Sequence, residues 1–148
     1  MSIVRAILSG PPEGRPCTQT VIVVVAAIIE ERDAFLLTRR QKGVHLAGLW
    51  EFPGGKIHEG ETHAAALVRE IREELDAAID VGDLVFHVTH EYDDRTVALY
   101  FYRCRLHSEA RPLLGQEMRW VPRAELPTLG FPPADEELIK LLTGSGVR

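Results

Sequence analysis

Between Gly54 and Ala77 a glycine turn runs straight into a helix loaded with acids, and the rest of the chain has to fold around it. Glu70, Glu73 and Glu74 stand at positions i, i+3 and i+4, which share one face of a helix. Carboxylates this close repel one another by about a few tenths of a kcal/mol per pair even in water. A divalent cation removes that repulsion, and hard oxygen donors suit Mg²⁺, with Mn²⁺ as a substitute. Ala64, Val68, Ile71 and Leu75 predict a buried stripe on the opposite side. Thr62 is the expected N-cap, although Ala65 stands where a capping box needs Glu. Arg69, four residues before Glu73, is placed to orient that carboxylate.

The 148-residue length fits one domain with a sizeable core. A formal net charge of −5 argues against a nucleic-acid polymer or a membrane surface as partner. It leaves room for an anionic small molecule, since a bound metal supplies local positive charge. Cys17 and Cys104 form no cluster and suit a reducing compartment, with Cys104 a buried packing residue. The apolar run from Val21 to Ile29 is too short to span a bilayer, and the N-terminus has no signal layout. The cytoplasm is the expected location. The six histidines show no metal-ligand spacing.

The periodicities predict strands over 21–30 and 34–39 joined by a hairpin turn, a short extended piece at 50–52, and a helix over 62–75. Further strands are expected at 83–90, 96–106 and 118–121. Pro132-Pro133 should open a last helix over 134–142, with Asp135, Glu136 and Glu137 in its first turn. The class is α/β (α+β), with no repeats and no internal boundary. Residues 1–20 read as an N-terminal extension of unassigned role, and 143–148 as a frayed tail.

The helix sits inside a longer pattern: Gly55, five residues, Glu61, seven residues, Arg69-Glu70-Ile71, one residue, Glu73-Glu74, then Ala77. It resembles the Nudix box, the signature of the Nudix hydrolases. One position departs: Asp76 stands where the family has a glycine that ends the helix in the left-handed conformation. Aspartate tolerates that conformation better than most residues. The resemblance extends over roughly 21–142, and Trp50-Glu51-Phe52-Pro53-Gly54-Gly55-Lys56 with Phe131-Pro132-Pro133-Ala134-Asp135 is similar to the MutT-type branch.

That resemblance implies a mixed sheet sandwiched between helices and a Mg²⁺-dependent hydrolase that turns a nucleoside triphosphate into its monophosphate and pyrophosphate. It implies Glu70, Glu73, Glu74 and the Gly54 carbonyl as metal ligands, with Arg69 among the catalytic residues and Glu61 anchoring the loop. The family's further glutamate falls on Leu114 in this chain, which leaves nearby Glu117 as a candidate ligand or base. Arg40, Phe52, Lys56, Arg95 and Asp135 correspond to substrate-binding positions. Each has a plain alternative: core for Phe52, solvated surface for Arg40, Lys56 and Arg95, a first-turn helix acid for Asp135. Asp135 replaces the branch's asparagine, and an ionised aspartate only accepts hydrogen bonds. The implied substrates are oxidised purine nucleotides such as 8-oxo-dGTP, with CTP or modified dCTP as the alternative. Hydrolysis of a nucleotide sugar, or a non-catalytic sensing role, are the remaining readings. Oligomeric state is open.

Overall fold

A computed structural model describes residues 20–39 and 48–144. The N-terminal extension, Cys17, Arg40 and the last four residues of the tail lie outside the described residues. The described residues form seven strands: β1 (Thr20–Glu31), β2 (Ala34–Arg39), β3 (Trp50–Glu51), β4 (Gly54–Lys56), β5 (Ile79–Glu91), β6 (Arg95–Leu106) and β7 (Glu117–Pro122). Two α-helices accompany them, α1 (His63–Leu75) and α2 (Glu136–Thr143), with 3-10 turns at Arg123–Thr128 and Pro133–Asp135.

β1 is the axis of the sheet. It runs parallel to β6 from Thr20↔Arg95 to Ile29↔Cys104, and antiparallel to β4 and β2. β5 pairs antiparallel with β6, and β2 pairs antiparallel with β3 and β7. The sheet is therefore mixed. Both faces of β1 are covered, which explains its unbroken apolar run. Val24, Ala26 and Ile28 face one core with Phe52, Leu99, Phe101, Leu126 and Leu138. Val25, Ala27 and Ile29 face a second with Leu67, Ile71 and Leu75 of α1. The helices thus sandwich the sheet, as expected.

Three local expectations change. β5 begins at Ile79 rather than 83, because register shifts between Val81 and Phe86 interrupt the alternation that marks a strand in sequence. The C-terminal helix starts at Glu136, with Pro133–Asp135 forming a separate 3-10 turn. The buried stripe of α1 is Ala66, Leu67, Ile71 and Leu75, while Val68 is 37% exposed. The stripe turns because Glu70 and Glu74 are drawn under the helix. Arg32 and Asp33 both adopt positive φ (52° and 63°), the twist that a two-residue hairpin between β1 and β2 requires. Cys104 is free and buried, with its thiol pushed up to about 12 by desolvation.

Candidate active site

The entry to α1 is fixed by two devices. The Thr62 hydroxyl accepts from the Ala65 N–H at 3.0 Å, as the sequence implied. Glu61 accepts from the His58 N–H at 2.8 Å and takes a two-pronged bond from Arg69, at 2.7 Å from Nε and 2.9 Å from Nη2. Those bonds, Arg69 foremost, hold the Glu61 carboxyl down to about 2. The same Nη2 donates to the Lys56 carbonyl at 3.0 Å, and Nη1 reaches Glu70 at 3.0 Å and Glu73 at 3.3 Å. Arg69 therefore ties the loop, β4 and two helix acids together. Its orientation of Glu73, read from the i, i+4 spacing, is the longest and most exposed of these contacts.

The three acids of α1 are not equivalent. Glu73 is exposed, whereas Glu70 and Glu74 are 1% and 3% exposed. Burial is the main force raising the Glu74 carboxyl well above the carboxylate range; the charges of Glu70 and Glu51 add to it. Two adjacent acids in such a place are costly unless a cation or a proton joins them. Among the described residues, no three acid, histidine or cysteine side chains already converge as a bound ion would need. Arg69 occupies the space between Glu70 and Glu73 instead.

Gly54 and Gly55 lie on β4 beside Ala26 and Val25. A Cβ at Gly54 would stand 2.0 Å from the Val25 carbonyl oxygen, so only glycine lets β4 come this close. β4 in turn lies against α1.

A second group of polar residues lies on the other side of the sheet. Asp135, in the turn before α2, is fully buried, and neither carboxyl oxygen has a hydrogen-bond partner among the described residues. It stands at the N-cap position of α2, as a helix-terminus acid would, but its side chain makes no capping hydrogen bond. Desolvation, then the nearby charge of Glu51, push its carboxyl up to about 8. Arg95 is 7% exposed, not a surface residue, and its guanidinium lies 5.7 Å from the Tyr92 ring centroid. Phe52 is fully buried between Phe101 and Phe131, each with ring centroids 5.9 Å away, so it forms core beneath the site.

Glu51 was missed by sequence reasoning and connects the two groups. It is 5% exposed on β3, and its charge is felt by both Glu74 and Asp135. An acid between Trp50 and Phe52 in an extended run was the available signal. Tyr92 lies three residues before Arg95, and its N–H donates to the Arg95 carbonyl at 2.7 Å, so the turn holds the ring under the arginine. Lys56 lies at the end of β4, half-buried, with its carbonyl engaged by Arg69. Glu117 is exposed and pairs with Arg39 of β2 at 3.5 Å.

A family description, NUDIX domain, matches residues 24–141. The chain is 36% identical over 121 residues to the 8-oxo-dGTP diphosphatase of Escherichia coli K12, covering 81% of this chain and 94% of that one. It is also 36% identical over 121 residues to the CTP pyrophosphohydrolase of the same strain, covering 81% and 90%. The solution structure of the E. coli ORF135 protein superposes with a TM-score of 0.73 at 37% identity, over 84% of this chain and 87% of that one. With the box acids on α1 and the mixed sheet between helices, these likenesses settle the family: the chain is a Nudix hydrolase, of the branch that contains the MutT-like nucleoside triphosphate diphosphatases.

Proposed function

We propose that the chain is a Mg²⁺-dependent cytoplasmic pyrophosphohydrolase that converts an oxidised purine nucleoside triphosphate, of the 8-oxo-dGTP type, to its monophosphate and pyrophosphate. The observation that carries this reading is the row of buried acids, Glu70, Glu74, Glu51 and Asp135, which joins α1 to the turn before α2. One end suits a metal-bound polyphosphate and the other a base.

The donor set of Glu70, Glu73, Glu74 and the Gly54 carbonyl is all hard oxygen, and the raised Glu74 carboxyl marks a place short of positive charge. These residues would hold the ion, with Glu117, at the start of β7, as a further candidate. When bound, Mg²⁺ offsets phosphate charge and acidifies a water. The chain's residues do the rest. Arg69 keeps Glu70 and Glu73 in place through Glu61 and the Lys56 carbonyl. Lys56 supplies a cation toward a phosphate, and the family resemblance assigns Arg40, outside the described residues, to the nucleoside. A box carboxylate takes the proton as the water oxygen bonds to the β-phosphorus. The bridging oxygen then leaves with the monophosphate.

At neutral pH a carboxyl that ionises at about 8 is mostly protonated. Asp135 then offers one donor and one acceptor, as the branch's asparagine does. The pair matches O6 and the N7 proton of 8-oxoguanine. Arg95 and Tyr92 give that base a cationic and aromatic neighbour, above the Phe52 floor. The alternative is CTP or modified dCTP, favoured by the equal likeness to the CTP pyrophosphohydrolase and by the acceptor that Asp135 becomes once ionised. Pyrophosphate release from a panel of natural and oxidised nucleotides at fixed Mg²⁺ tests the reading. The highest kcat/KM is expected for 8-oxo-dGTP; preference for CTP would hand the assignment to the alternative.

A further inference from the structure

The box lacks its glycine at position 76, yet Asp76 adopts the left-handed conformation that glycine supplies elsewhere (φ 53°, ψ 38°), and its N–H donates to the Arg72 carbonyl. What holds it there comes from the loop between β6 and β7. Arg111 pairs with the Asp76 carboxylate through Nη2. The Arg111 N–H donates to the Leu75 carbonyl at 2.7 Å, and the Leu113 N–H to the Glu74 carbonyl at 2.9 Å. Gln116 adds a third donor, Nε2 to the Glu74 carbonyl at 3.2 Å, while its Oε1 accepts from the Leu114 N–H at 2.8 Å. The last turn of a helix ordinarily leaves such carbonyls to water or to a glycine motif. Here they are tied to a loop 35 or more residues away in sequence, at the backbone of the very residue that carries one of the buried acids.

We propose that Arg111 and Gln116 are positioning residues that replace the box glycine: the loop clamps the C-terminal turn of α1 and so fixes Glu73 and Glu74 for the cation. The proposal rests on the reading of that face as the metal site. The ion pair itself is exposed and contributes little as a charge pair. Its effect is to hold Asp76 in the left-handed region while three donors engage the helix end. Its bonds run to Glu74, Leu75 and Asp76, so it acts on the metal end of the site rather than on nucleotide recognition.

The test uses the full chain and Mn²⁺ alone as probe, with free Mn²⁺ followed by electron paramagnetic resonance well below the melting temperature. Arg111→Ala and Gln116→Ala should each weaken Mn²⁺ binding by about tenfold, the scale of residues that orient metal ligands. In the Asp76→Gly background, Arg111→Ala should have about twofold effect or less, because glycine needs no partner to turn left-handed. In turnover, Arg111→Ala should lower kcat and raise the Mg²⁺ requirement while nucleotide KM stays put. Amide exchange at Leu113 should quicken in both single variants. Unchanged Mn²⁺ affinity in both, or an Arg111→Ala defect that persists in the Asp76→Gly background, overturns the clamp. Failure of the wild type to bind Mn²⁺ at all would instead refute the metal-site reading beneath it, and with it the clamp's purpose.

Discussion

Single residues here carry ionisable groups into places that water does not reach. Asp135 is the clearest case. Its carboxyl ionises at about 8 in the folded protein and near its ordinary low value when unfolded. Between those limits the folded state holds a proton that the unfolded state has lost. This group's contribution is therefore largest in acid and falls as pH rises toward 8. The melting temperature of the metal-free protein should drop from pH 5 to pH 8, and Asp135→Asn should flatten that slope. A slope unchanged in the variant would place the titration elsewhere. The same substitution should keep 8-oxo-dGTP turnover while removing its decline above pH 8, since the amide keeps a donor and an acceptor at any pH. Glu73→Gln belongs to the chemistry. It should cut turnover by about a hundredfold or more with the melting temperature nearly unchanged, because Glu73 is exposed and its pairing with Arg69 is a surface contact. Wild-type rates in that variant would take Glu73 out of the site.

At the level of elements, α1 is positioned by its ends and by β4. Thr62→Ala should cost about 1 kcal/mol in urea unfolding, the usual value of an N-cap. Gly54→Ala should cost more, roughly 3 kcal/mol, because its Cβ meets the Val25 carbonyl and the Ala26 Cα in an unyielding strand pair. Equal stability of the Gly54→Ala protein would mean that β4 can shift away from β1. Much of this was legible in the sequence. The cap, the glycine pair, the β1–β2 turn and the box acids are local features, each set by residues within a few positions. What escaped notice was tertiary. Spacing places Ala64 and Val68 on the α1 stripe where Ala66 and Leu67 are buried, because it does not reveal that Glu70 and Glu74 are buried too. The true start of β5 was hidden by its irregular register. Glu51, Tyr92, Arg111 and Gln116 owe their importance to partners far along the chain, which no periodicity encodes.

For the whole molecule, the sheet is a divider with work on two sides. α1 and the loop that reaches its end lie with one core, while Asp135 and the turn before α2 lie with the other. β3 pairs with β2 and β4 with β1 in that sheet, so one short stretch, Trp50 to Lys56, places Phe52 in one core and β4 against α1. Among the described residues no helix is long and apolar enough to cross a membrane. The central claim is that the buried acids of α1 are kept for a divalent cation, and calorimetry of Mg²⁺ binding tests it without any substrate. Burial, then the charge of Glu70, disfavours the ionised Glu74 carboxyl, and a bound cation favours it. Titrations at mildly acidic pH in two buffers of different ionisation enthalpy should therefore show Mg²⁺ binding coupled to proton release, and Glu74→Gln should abolish that release. Binding with no proton released in the wild type, or none at all, would contradict the account.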